Sequence, residues 1–210
     1  MSLMAAASTT PEARPEPKLG LRERKKIQTR QAIRRAAYRL FKEQGYDATP
    51  VDQIAAAADV SPSTVFRYFP TKEDIVLTDE YDALMEAALR ARPRDEAPLE
   101  AIRHSILEPL RRIVEHEREE MAERSKLLQE VPAIRARSNE SMIESGRVLA
   151  AVLSERTGRP ADDIEVEVFV AAVLSGFQAA LMHWARNGHQ EDLMALMRQA
   201  VDVFSRGLTL

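Results

Sequence analysis

Ser61, Ser63, Thr64, Arg67, Tyr68 and Lys72 fall within one short stretch of the chain, with Thr49 a little before it. Hydroxyls, a guanidinium, a phenol and an ammonium in this density suit hydrogen bonding to phosphates and base edges rather than bond making. Pro62 and Phe66 stand among them, and Phe66 offers apolar contact, for example to a thymine methyl. Elsewhere the residues that carry out reactions are sparse. The chain has no cysteine, which excludes a disulfide framework, a thiol nucleophile and a thiolate metal site. None of its four histidines, His104, His116, His183 and His189, has the spacing of a zinc-protease helix. No glycine-rich phosphate loop and no nucleophile elbow is present. Neither an enzyme nor a metal or cofactor is expected.

Three helix starts position the polar cluster. Thr49 followed by Pro50 and Asp52 reads as an N-cap, a proline at the first helical position and a capping-box acid. Ser61 and Pro62 repeat the pattern, and Thr71 with Asp74 repeats it again just after Pro70. Only Asp59 and Val60 separate the alanine run from Ser61, so the chain turns sharply there. Two short helices joined this way form a helix-turn-helix, whose second helix enters the DNA major groove.

The stretch from Thr49 to Ile75 resembles the DNA-binding motif of the tetracycline-repressor (TetR) family of bacterial transcription regulators. Thr49, Val51, Ile54, Ala55, Ala58, Val60, Ser61, Thr64, Val65, Phe66, Tyr68, Phe69, Lys72, Glu73, Asp74 and Ile75 stand at matching places. The sequence departs from that pattern at Pro50, Asp59, Ser63 and Phe66. Asp tolerates the left-handed turn better than most residues other than glycine. The resemblance implies DNA contacts from Thr49, Pro62, Ser63, Thr64, Phe66, Arg67, Tyr68 and Lys72, with Tyr68 and Lys72 at positions that hold phosphates.

Charge points the same way. Residues 1–75 hold 13 Lys and Arg against nine Asp and Glu, whereas the whole chain carries a net charge of −3. The basic residues concentrate between Lys18 and Lys42, which suits a polyanionic partner for the N-terminal part. Ile33, Ala37, Leu40 and Phe41 form the apolar stripe of a helix from Arg22 to Gln44, ended by Gly45. The proline-bearing residues 1–19 read as a disordered tail, residues 20–75 as the DNA-binding domain and residues 76–210 as an effector-binding and dimerisation domain.

Helical periodicity continues to the end, and no segment alternates like a strand. The expected helices run from Lys72 to Arg92, from Pro98 with a kink at Pro109, from Glu117 to Glu130, from Pro132 to Thr157, from Asp162 to Asn187 and from Glu191 to Leu208. The fold class is therefore all-α, with about nine helices. Val168 to Ala185 lacks charged residues, but Ser175, Gln178 and His183 inside it favour a buried helix over a membrane span.

In the TetR family the last two helices pair with a second subunit, and the resemblance implies a homodimer here. Phe169, Val173, Gly176, Ala180, Trp184, Met197 and Phe204 are the candidate interface. The family also keeps a ligand pocket between the middle helices, for which Met85, Leu89, His104, Met121, Leu128, Met142, Phe177, Gln178 and Met182 are candidates. The stretch from Leu127 to Glu140 resembles family members grouped with acyl-CoA-like binders. The expected protein is a cytoplasmic homodimer, a repressor on a palindromic double-stranded DNA operator, released by a small-molecule effector. The alternatives are a TetR-like regulator without ligand control and a helical binding module with a vestigial DNA head.

Overall fold

The structure, a computed structural model, describes residues 21–78 and 82–209. The expectation of a disordered tail over residues 1–19 lies outside the described residues. Ten α-helices and one π-helical turn make up the described chain: α1 (Leu21–Gln44), α2 (Val51–Ala57), α3 (Pro62–Tyr68), α4 (Lys72–Leu77), α5 (Asp82–Arg90), α6 (Pro98–Ile102), the π turn (Arg103–Leu107), α7 (Glu108–Glu130), α8 (Pro132–Thr157), α9 (Ile164–Arg186) and α10 (Leu193–Ser205).

The N-terminal head, α1 to α4, closes on the apolar stripe of α1. Ile33, Ala37 and Phe41 meet Ile54, Val65, Phe69 and Ile75 in one buried cluster, with Leu40, Val51 and Ala58 at its edge. That cluster does not stop at the head. Leu127, Leu128 and Ile134, from the elbow between α7 and α8, belong to it as well. The body is built on two further clusters. One joins α8 and α9 through Leu149, Val152, Leu153, Val166, Val170 and Val173. The other centres on Trp184 with Leu193, Met197 and Val201 of α10.

Two breaks in the helices depart from simple periodicity. A single helix from Lys72 to Arg92 was expected, yet Thr78 is extended (φ −89°, ψ 125°) and separates α4 from α5. The last carbonyls of α4 are taken from outside: Arg34 of α1 donates to Thr78 O at 2.6 Å, and Arg124 of α7 donates to Leu77 O at 2.7 Å. Tertiary hydrogen bonds thus satisfy groups that a longer helix would have paired internally. The second break is at Pro109. Instead of a sharp bend, residues 103–107 widen into a π turn ahead of the proline, one of the usual ways a helix absorbs a local disruption. α7 then leaves helical geometry once more at Glu117 (φ −125°, ψ 27°), where a new helix had been expected to begin.

Candidate functional site

The turn between α2 and α3 is made without glycine. Asp59 adopts φ 54°, while Val60 N–H donates to Ala55 O at 3.0 Å and Asp59 N–H to Ala56 O at 3.2 Å. This pair of bonds is a Schellman closure with aspartate in the left-handed position. Ser61 then caps α3: its Oγ accepts from Thr64 N–H at 3.2 Å and lies 2.9 Å from the hydroxyls of both Ser63 and Thr64. Three hydroxyls therefore gather at the exposed first turn of α3. Phe66 is 50% exposed and Arg67 is exposed, with the Arg67 guanidinium 5.2 Å from the centre of the Tyr68 ring. Tyr68 is half-buried and leans on the head core.

Thr49 departs from its expected role. Its side chain is fully buried; Oγ1 donates to Gly45 O at 2.7 Å and accepts from Gln44 Nε2 at 3.1 Å. Pro50, not Thr49, occupies the N-cap of α2. The hydroxyl closes the end of α1 and cannot reach a phosphate. The α4 capping box forms as expected, with Thr71 Oγ1 accepting from Asp74 N–H at 3.2 Å and Asp74 Oδ2 accepting from Thr71 N–H at 3.0 Å.

Lys72 has a second task. Its ammonium donates to Tyr46 O at 2.7 Å and Thr49 O at 3.1 Å and sits 3.9 Å from the Tyr46 ring centre. Burial lowers its pKa, against the pull of Asp47 and Glu73. The Tyr46 hydroxyl donates to Glu73 Oε1 at 2.8 Å. Burial and that bond push the phenol well above its ordinary value. Burial alone would raise the Glu73 carboxyl, but the Tyr46 hydroxyl and the other donors outweigh it and hold it low. Lys72 thus locks the loop after α1 to α4, and its ammonium carries a third hydrogen beyond the two given to these carbonyls.

Behind the head lies an inner cavity of about 180 Å³. Arg34, Tyr38 and Val76 line it from the head, and Met85, Leu110, Glu117, Glu120, Met121, Arg124, Leu181 and Met197 from the body. The irregular residue of α7, Glu117, is part of this wall. A larger groove of about 670 Å³ runs along the outside between α8 and α9, with Met142, Ile143, Gly146, Val170, Leu174 and Gln178 among its walls.

Comparison with known proteins decides the family. Residues 33–78 match the description "Bacterial regulatory proteins, tetR family", and residues 96–209 match "MftR C-terminal domain". The HTH-type transcriptional regulator TcmR of Streptomyces glaucescens is 37% identical over 182 residues, covering 80% of this chain and 78% of that protein. The chain belongs to the TetR family. It is accordingly a DNA-binding transcriptional regulator. The putative mycofactocin biosynthesis transcriptional regulator MftR of Mycobacterium tuberculosis is 26% identical, covering 88% of this chain and 93% of that protein. Among solved structures, Thermus thermophilus FadR, a TetR-family repressor in complex with lauroyl-CoA, superimposes with a TM-score of 0.53 at 26% identity, covering 86% of this chain and 95% of that one.

The expected effector residues of this TetR-family chain do not form one site. Met85 and Met121 share the inner cavity, whereas Met142 and Gln178 share the outer groove. Leu89 is enclosed in the α8–α9 cluster and Leu128 in the head cluster, with Met182 packed on the latter. Phe177 bridges the two body clusters. His104 is on the surface, its Nδ1 2.7 Å from Glu96 Oε1, and Arg92, with His104 second, holds the Glu96 carboxyl at about 2. Arg34, Tyr38 and Leu181 are cavity residues that helical periodicity did not single out. Met197, expected at a subunit interface, lines the cavity instead.

Four of the seven expected interface residues of α9 and α10 turn inward, while Phe169, Gly176 and Phe204 are half-buried. Val173, Ala180, Trp184 and Met197 are buried within the protomer and have no surface left for a partner. Phe169 and Phe204 pack against the α8–α9 cluster. The close approach allowed by Gly176 is used inside the chain, since a Cβ there would stand 2.7 Å from the Phe204 ring. The outward face of α9 is different: Ile164 and Val168 are 68% and 59% exposed, and Ala171, Ser175 and Ala179 continue the same stripe. α9 is long and apolar enough to cross a membrane by length and composition, but its inward face is part of the body core.

Proposed function

We propose that this regulator is a cytoplasmic repressor that grips a palindromic operator as a homodimer and lets go when a small molecule fills the inner cavity. The observation that carries this reading is the double origin of the cavity wall. Arg34, Tyr38 and Val76 come from the head, while Met85, Met121 and Leu181 come from the body. Ligand pockets usually hold about 300–1,000 Å³, so an occupant of ordinary size must enlarge a space of 180 Å³. Close-packed walls yield by moving as units. Expansion therefore drives α1 and α4 away from α7 and alters the setting of α3.

The outward stripe of α9, from Ile164 to Ala179, supplies a subunit interface of small and aliphatic residues. A two-fold pair of heads then addresses half-sites about one helical turn, roughly 34 Å, apart. The effector is a moderately apolar small molecule. An acyl-CoA-like compound is one candidate class, in keeping with the lauroyl-CoA bound by the Thermus thermophilus relative.

Selection from random duplexes tests the reading at the DNA. Wild-type protein should enrich an imperfect palindrome, and Thr64→Ala, which changes a hydroxyl in the first turn of α3, should shift base preference within each half-site by about 1–3 kcal/mol. Enrichment of no sequence, or an identical preference in the variant, contradicts it.

A further inference from the structure

The carboxylate of Asp74 is 4% exposed and has both oxygens engaged. Oδ2 closes the capping box of α4, and Oδ1 accepts from Arg137 Nε at 2.8 Å. Arg137 stands in the second turn of α8, where its Nη1 also donates to Glu140 Oε2 at 2.8 Å. Just before it in the chain, Leu127, Leu128 and Ile134 are set into the core of the head. The stretch from Leu127 to Glu140, which resembles a feature of acyl-CoA-like binders, is here the seat on which the head rests. From this seat α8 runs on as one helix to Thr157, and Met142, Ile143 and Gly146 along it wall the outer groove.

We propose that Arg137 is a positioning residue for operator binding, tying the first turn of α4, and with it α3, to the body in one orientation. The inference rests on the reading of the protein as a two-headed clamp on a palindrome. Apolar contacts at the seat are non-directional and tolerate small rotations. The ion pair is directional, because a carboxylate already fixed by its capping bond leaves the guanidinium a narrow choice of approach. α4 is only six residues long, about 9 Å at the helical rise, so a rotation at Asp74 passes directly to α3. Without the pair, the heads sample a wider range of separations. Fixing them on an operator then costs more, since preorganisation has been lost.

The test uses full-length protein and the duplex that wild type selects from random DNA, together with versions whose half-site spacing is changed by one or two base pairs. Arg137→Gln removes the charge, Asp74→Asn keeps a capping acceptor, and Arg137→Lys keeps the charge. Arg137→Gln and Asp74→Asn should each weaken binding to the best-spaced duplex about tenfold and flatten the discrimination among spacings. The double variant should bind no more weakly than either single variant, and Arg137→Lys should keep the spacing optimum. The slope of affinity against salt should not change, because no phosphate contact is lost. A lowered melting midpoint with the wild-type spacing profile intact would overturn the proposal, as would a salt slope reduced by about 0.9. A wild-type protein with no spacing optimum would instead overturn the clamp itself.

Discussion

Lys72 is held by two carbonyls and an aromatic face before any DNA arrives. Removing it therefore has two effects that separate experimentally. Lys72→Ala should destabilise the head by about 1.5–3 kcal/mol, the scale of a lost hydrogen bond involving a charged group, and lower the melting midpoint. It should also reduce the salt slope of DNA binding by up to about 0.9 if the remaining ammonium hydrogen serves a phosphate. An unchanged midpoint in thermal melting would show that the two carbonyl bonds contribute nothing. The caps at Ser61 and Thr71 were legible in the sequence because capping is a local matter of residue type and spacing. Thr49 was not. Its residue type suits a cap, but Pro50 takes that place and the hydroxyl turns back to Gly45, a choice made by the packing of α1 against α2.

At the scale of elements, the contact between α9 and α10 passes through Gly176 and Phe204. Gly176→Ala would place a Cβ 2.7 and 2.8 Å from two atoms of the Phe204 ring. Phe204 is only half-buried, so the ring can swing outward, and the expected cost is about 1 kcal/mol, the low end for overpacking. Phe204→Leu in the same chain should recover most of that loss, as measured by denaturant unfolding. Equal and additive losses would mean that the two residues do not share this contact. The all-helical fold and the order of most helices were legible from periodicity, since most apolar stripes in this chain face one core. The break at Thr78 was not, because it is made by Arg34 and Arg124, far away in sequence. Nor was the inward face of α9. A helix apolar nearly all round gives no sign of which face stays at home, and only the structure separates Val173 and Trp184 from Ile164 and Val168.

For the whole molecule, the head and body share a core at the α7–α8 elbow and a cavity behind α4. A ligand in that cavity touches the DNA-binding domain directly. No long rigid helix has to carry the signal, as the unbroken Lys72 to Arg92 element would have done. The family and the head were legible in one stretch of sequence. The cavity was only half legible, because Met85 and Met121 announce themselves by type, whereas Arg34 and Tyr38 read as part of a basic DNA-facing helix until the fold brings them behind it.

The central claim is that occupation of the inner cavity and grip on the operator exclude one another. Calorimetry measures this directly, with a compound chosen by thermal-shift screening and titrated into free protein and into protein saturated with the selected operator. Linkage requires that each ligand weaken the other by the same factor, typically about 5- to 150-fold. The account predicts that operator DNA lowers affinity for the compound by the factor through which the compound lowers affinity for the operator, and that Met121→Trp, which fills the cavity, abolishes both effects. Equal affinity for the compound with and without operator would contradict it.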